Sequence, residues 1–196
     1  MPKVRTNILT FSRILAISLA IALAAHANPV DLDINVVPRR ASYRTGDKLT
    51  IQMRYQNTSV MPIRLLPNLL VYPAAAFKFQ NTSNGKLGTL LKYSEIGIDV
   101  EQWAKDIVTL KPGQTCVRDL RVEVADKLPA EYGKHARGLY VIFPVSAIAL
   151  PEAGAYSISM SYDSIEHPVR RVVEGYPEFW QGKTASPTIL AHFQER

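Results

Sequence analysis

Along the chain, Leu49, Ile51, Met53 and Tyr55 alternate with Thr50, Gln52, Arg54 and Gln56. Successive side chains of an extended backbone point to opposite faces, so this period of two predicts a strand with one apolar and one polar face. Tyr156, Ile158, Met160 and Tyr162 alternate in the same way with Ser157, Ser159 and Ser161, predicting a second strand with a hydroxyl-rich solvent face. Half-buried strands of this kind build antiparallel sheets. A parallel sheet would need continuous apolar strands separated by helical periods, and neither pattern occurs. Shorter strand candidates fall at residues 32–37, 63–66, 75–79, 89–93, 115–124, 139–143 and 187–193. Turn chemistry separates most of them: Thr45-Gly46-Asp47, Asn57-Thr58-Ser59, Asn84-Gly85, Lys111-Pro112-Gly113 and Glu152-Ala153-Gly154. Ile96, Val100 and Trp103 recur at helical spacing and predict one short helix over residues 95–106, although Ile98 interrupts its polar face. The pattern predicts an all-β, antiparallel sandwich with loop insertions, and no repeat or low-complexity linker marks a second domain.

The first residues follow a different rule. Lys3, Arg5 and Arg13 precede an apolar run from Ile14 to Ala25, about the length of a signal h-region, and Ala25-His26-Ala27 supplies the small-x-small pattern of a cleavage site. A membrane-crossing helix needs roughly 20 apolar residues, and extending this run back to Ile8 would bury Arg13 in hydrocarbon. Residues 1–27 are therefore expected to be a signal peptide and residues 28–196 a single exported domain, periplasmic or secreted, with no stable membrane span after cleavage. An uncleaved N-terminal anchor is the alternative, with the same domain tethered outside the membrane.

The leader supplies half of the formal net charge of +6. The surplus left in the rest of the chain is small and scattered, forming no basic stripe for phosphates, so a nucleic-acid partner is not expected. Cys116 is the only cysteine, which rules out an intramolecular disulfide, and its strand-like surroundings read as a buried small apolar residue.

Three phrases carry a family resemblance: Tyr43-Arg44-Thr45-Gly46-Asp47 leading into the strand that ends at Asn57-Thr58-Ser59, then Leu110-Lys111-Pro112-Gly113-Gln114, then Leu150-Pro151-Glu152-Ala153-Gly154-Ala155-Tyr156. In this order they resemble immunoglobulin-like β-sandwich domains of bacterial exported proteins. They are also similar to the bacterial family named for an intracellular proteinase inhibitor, where a strand ending in Asn-x-Ser precedes a Leu-x-Pro-Gly turn and a Gly-x-Tyr strand. The resemblance spans residues 43–162 and implies an immunoglobulin-like fold. It brings in protease inhibition only as an alternative, because this chain carries an export signal. Tyr156 is expected to pack its ring at the start of a core strand while its hydroxyl finds a backbone partner. Trp180-Gln181-Gly182 followed by Ser186-Pro187 resembles the closing segment of such domains, after an unusually long connection from Asp163.

Chemistry is sparse. The Gly-x-Ser-x-Gly elbow of hydrolases is absent, and His135, His167 and His192 lack partners at metal-ligand spacing, so no enzyme, no metal and no cofactor is expected. Asp163, Glu166 and His167 form the one acidic and imidazole cluster and read as loop polarity rather than ligands. Asp31 and Asp33 lack the Gly and Glu of a calcium loop and read as the solvated face of a first strand. Asn57 and Asn81 each begin an Asn-x-Ser sequon, which turn chemistry explains equally well. Two segments are candidates for recognition. Tyr176, Phe179 and Trp180 concentrate aromatic area beyond Arg170-Arg171, either as an anchor for a partner or sugar or, more simply, as a plug at the sandwich end. Tyr132, His135 and Arg137 lie in a polar, glycine-bounded loop. The expectation is a non-enzymatic binding module that contacts an envelope or extracellular protein through loops or a sheet edge. The alternatives are a protease inhibitor and a carbohydrate-binding module using Tyr176, Phe179 and Trp180.

Overall fold

A computed structural model describes residues 29–67, 76–92, 105–132, 137–163, 180 and 182–195. Among the described residues the regular structure is nearly all strand, with a 3-10 turn at Ala130–Tyr132. In chain order the strands are β1 (Val30–Val37), β2 (Tyr43–Arg44), β3 (Lys48–Asn57), β4 (Ile63–Leu65), β5 (Phe77–Asn81), β6 (Thr89–Lys92), β7 (Val108–Leu110), β8 (Thr115–Ala125), β9 (Leu139–Ile142), β10 (Ser146–Leu150), β11 (Gly154–Asp163), β12 (Lys183–Ala185) and β13 (Ile189–Gln194). The short helix expected over residues 95–106 lies almost wholly outside the described residues, and the expected leader, Glu166 and His167 lie wholly outside them.

Six strands form an antiparallel sheet in the order β1-β3-β8-β9-β10-β6. In the second sheet β11 is central: β5 pairs one side of it, while β13 and β12 share the other side end to end. β2 joins the outer end of β13 in parallel, the one departure from antiparallel pairing among the described residues, and β4 with β7 makes a separate two-stranded antiparallel ladder. Ser186 joins β12 to β13 without breaking the edge of β11, since its N–H donates to the Met160 carbonyl at 2.8 Å and its hydroxyl accepts the Met160 N–H at 3.0 Å.

The two sheets face each other across one core whose members run from Val30 to Phe193. The two alternations read from the sequence supply its centre. Leu49, Ile51, Met53 and Tyr55 from β3 are buried, as are Tyr156, Ile158, Met160 and Tyr162 from β11. Tyr55 and Tyr162 meet edge to face across the core with ring centroids 5.6 Å apart, and Phe193 packs against Phe79 at 6.0 Å and Tyr156 at 5.9 Å. Such pairs add specificity of geometry to the area they remove from water. Tyr156 is fully buried and its hydroxyl donates to the Glu152 carbonyl at 2.7 Å, the backbone partner expected for it.

Both sequon asparagines turn out to be interior. Asn57 is 0 % exposed; its Nδ2 donates to the carbonyls of Met61 and Leu110 at 2.8 Å each, and its Oδ1 accepts the N–H of Ser59 at 2.9 Å. Asn81, 2 % exposed, accepts the Ser83 N–H at 2.8 Å and donates to Glu152. Each side chain stands in for a stretch of ladder where a strand ends, satisfying buried polar groups that turns leave open. Neither can carry a glycan in the folded chain. Alongside Asn57, Gly113 adopts φ 73° and donates its N–H to the Asn57 carbonyl at 2.8 Å, a conformation in which a side chain would be strained.

β10 carries no alternation, and for that reason the sequence did not predict it. Its residues Ser146, Ala147, Ile148 and Leu150 are all buried, because this end of the six-stranded sheet is covered on both faces. Ile148 and Leu150 face the main core, while Ala147 joins Leu128 and Tyr140 in a second cluster on the opposite face, with Leu91, Tyr132, Ile142 and Ala149 packed against it. β2, β7 and β12 were also missed, being two or three residues long and too short to show a period.

Candidate functional site

Three of the six residues expected to recognise a partner fall within the described structure, and they are not brought together. Tyr132 ends the 3-10 turn and is half-buried against the second cluster, where it helps to cover β9 and β10. Arg137 is exposed at the far side of the same connection. Trp180 is half-buried and stacks on Tyr162, with centroids 5.8 Å apart and planes 13° from parallel. Its backbone N–H donates to the Arg64 carbonyl at 2.9 Å, and a Cβ on Gly182 would lie 2.6 Å from the indole ring, so glycine is required there. One face of the indole is thus spent on the core, as a plug would be. His135, Tyr176 and Phe179 lie outside the described residues.

Burial explains the ionisation of the aromatic interior. Loss of hydration pushes the Tyr55 and Tyr162 phenols well above their ordinary value, which keeps both neutral in the core. The Cys116 thiol is likewise raised, chiefly by desolvation, with the Arg118 guanidinium opposing weakly. A raised thiol is a poor nucleophile at neutral pH. Asp163, part of the acidic cluster read from the sequence, pairs with Lys183 at 2.5 Å. Among the described residues no three His, Cys, Asp or Glu side chains converge as a metal would need, and no helix is long and apolar enough to cross a membrane.

The feature that sequence reading did not single out lies at the other end of the six-stranded sheet. β1 is the edge strand there, and the direction of its backbone groups follows from one bond. Thr58 donates its N–H to the Pro29 carbonyl at 2.9 Å, so position 29 faces β3. Backbone polar groups alternate along a strand, so Asp31, Asp33 and Asn35 also bond to β3, while Leu32, Ile34 and Val36 turn theirs outward. β13 is treated similarly. Thr45 donates to the Gln194 carbonyl at 3.3 Å, which places Gln194 toward β2 and, by alternation, His192 and Leu190 away from β11 as well. β2 pairs only Phe193 and Gln194, leaving Leu190 beyond its reach.

Between these two flanks lies a cleft of about 720 Å³, lined by Ile34 and Val36 from β1, by Ile189 and Leu190 from β13, and by the side chains of Arg39 and Arg54. A narrower groove of about 370 Å³ continues along β1 toward Asp31 and Pro187, where β12 comes up beside β1. Leu190 is 76 % exposed and Val117, on the same wall as Arg54, is 50 % exposed. Of the charged groups here, Arg40 is tied to Asp47 at 2.9 Å, and the Asp33 carboxylate accepts the N–H of Ile34 at 2.9 Å. Among the described residues Arg39 and Arg54 have no such partner. The signal that could have revealed this site is register: Val117 and Leu190 are apolar residues at polar positions of their strands.

No protein-family model matches the chain, and no curated protein matches it.

Proposed function

We propose that this chain is a non-enzymatic binding module of the periplasm or cell exterior, an immunoglobulin-like β-sandwich formed by residues 28–196, that grips another envelope or extracellular protein at a sheet edge. The open flank of β1 facing the open flank of β13 across a cleft supports this reading above any other observation. An edge strand presents a row of main-chain donors and acceptors, which is a template for a further strand unless something blunts it. Strand addition draws affinity from ladder bonds available to any sequence and selectivity from the side chains on each wall. Leu190 and Val117 on the walls fit that use, because they offer apolar contact to alternate side chains of an added strand.

The experiment is affinity retention of host envelope proteins on the purified protein, compared with two variants. Leu190→Asp should release the retained partner, whereas Leu87→Asp, at an exposed position on the β5 side, should keep it. A partner retained equally by both variants, or none at all, would reject the edge as the binding surface.

A further inference from the structure

Resting on that reading, we infer that the cleft takes an extended polypeptide segment bearing carboxylate side chains, laid along the outer flank of β1 with its acidic residues at Arg39 and Arg54 and an apolar residue against Leu190. The occupant's backbone is set by what β1 offers. Ile34 and Val36 turn their polar groups toward the cleft and Leu32 toward the narrower groove, a stretch that a segment of about six or seven residues would match at roughly 3.4 Å per residue. The occupant's charge is set by what the walls leave over. Arg40 is already neutralised by Asp47, and Asp33, which keeps its charge while accepting the Ile34 N–H, stands opposite Arg54 in the ladder and is outnumbered by Arg39 and Arg54. Arg39 and Arg54 are both exposed guanidiniums in the lining, so the wide end of the cleft is cationic. A guanidinium forms paired, directional bonds to a carboxylate, which makes an acidic side chain the complementary group. Asp33 and Arg54 line both stretches, but at the narrow end Asp31 takes the place of Arg39, which favours a basic or neutral residue there and sets the segment's direction along β1.

The bond from Ile34 to Asp33 gives the proposal its sharpest handle. It occupies one of the outward donors of β1, so the carboxylate acts as a removable cap on the edge. Asp33→Ala frees that donor, whereas Asp33→Asn keeps an acceptor in the same place while removing the same charge. An arriving strand has to displace the cap, and only the alanine variant removes that competition.

The test is selection of a phage-displayed library of random heptapeptides on the full protein, with counter-selection on the Arg39→Glu/Arg54→Glu variant, followed by affinity measurement of the selected peptides. The expected result is enrichment of sequences in which apolar residues alternate and Asp or Glu lies toward one end. Binding should weaken at least tenfold in the double variant and strengthen several-fold in Asp33→Ala but not in Asp33→Asn. Bound peptide should slow amide exchange at Leu32, Ile34 and Val36. No enrichment, enriched peptides without acidic residues, or peptides bound equally by the double variant would overturn the proposal. Protection of the same amides that rises with protein concentration alone would also overturn it, since the occupant would then be a second copy. If a host partner is retained but ignores both arginines, the proposal fails while the binding-module reading stands.

Discussion

The two ends of the six-stranded sheet solve opposite problems with the same backbone. At the β9-β10-β6 end, Ala147, Ala149, Tyr140 and Ile142 make the outward face apolar, and the chain between β8 and β9 returns to cover it with Leu128 and Tyr132. At the β1-β3-β8 end, the outward face carries Asp33, Arg54 and Val117 in one row and Asn35, Gln52 and Asp119 in the next, and no described residue folds over it. The covered end gains stability from a second core. The open end forgoes that gain and keeps its flank and charges available. Regions spared from packing are where binding surfaces are usually found.

The contrast should be plainest in stability. Leu128→Ala removes a buried side chain from the second cluster and should cost about 3 kcal/mol, while Val117→Ala at the open end should change stability by less than about 0.5 kcal/mol. Urea unfolding of both variants measures the difference, and equal losses would erase it. Gly88→Ala should be next, at about 2 kcal/mol, because a Cβ there would sit 2.5 Å from the Ile148 side chain and 3.4 Å from Phe79, neither of which has room to move in a packed core. A neutral Gly88→Ala would mean that the covered end is looser than its burial implies.

Cys116 probes the start of β8 at the open end. Because desolvation raises its thiol, alkylation at pH 8 should run at least about tenfold slower in the folded protein than in urea. Equal rates would show that this part of the sheet opens freely. The smallest effect belongs to Asp47, beside the cleft. The Arg44 N–H, and after it Arg40, hold its carboxyl below the ordinary value of 3.8. A depressed folded value means that the stability it contributes is complete above the unfolded value and is lost as pH falls through the folded one. Asp47→Asn should therefore narrow the gap in unfolding midpoint between pH 5 and pH 2.5, leaving the shape of the curve above pH 5 unchanged.

How much of this was legible beforehand depended on whether a strand had one wet face. β1, β3 and β11 do, so Asp31 and Asp33 were read correctly as a solvated face and the core positions of β3 and β11 were read residue by residue. β10 has none, so its unbroken apolar run hid a strand that only tertiary cover explains. For the aromatic candidates in connecting segments, the strand pattern gave no guide to orientation. Tyr132 and Trp180 were singled out as aromatics in connecting segments, but composition does not reveal whether a ring is turned to water. Here Tyr132 covers a sheet, and Trp180 gives one face to Tyr162. The cleft depends on which strands end up at an edge, a property of pairing that periodicity does not encode. Leu190 and Val117 did carry a trace of it as misfits in their own alternation.

The interior asparagines have a practical corollary for making this protein. Oligosaccharyl transfer acts on nascent polypeptide, before Asn57 has sealed itself between the carbonyls of Met61 and Leu110. In a eukaryotic secretory host, a sugar attached at that moment would have nowhere to go once the two sheets close. Modification and folding would exclude each other, and Asn57-bearing material from such a host would divide into unglycosylated native protein and glycosylated chains retained as misfolded. Bacterial expression avoids the conflict.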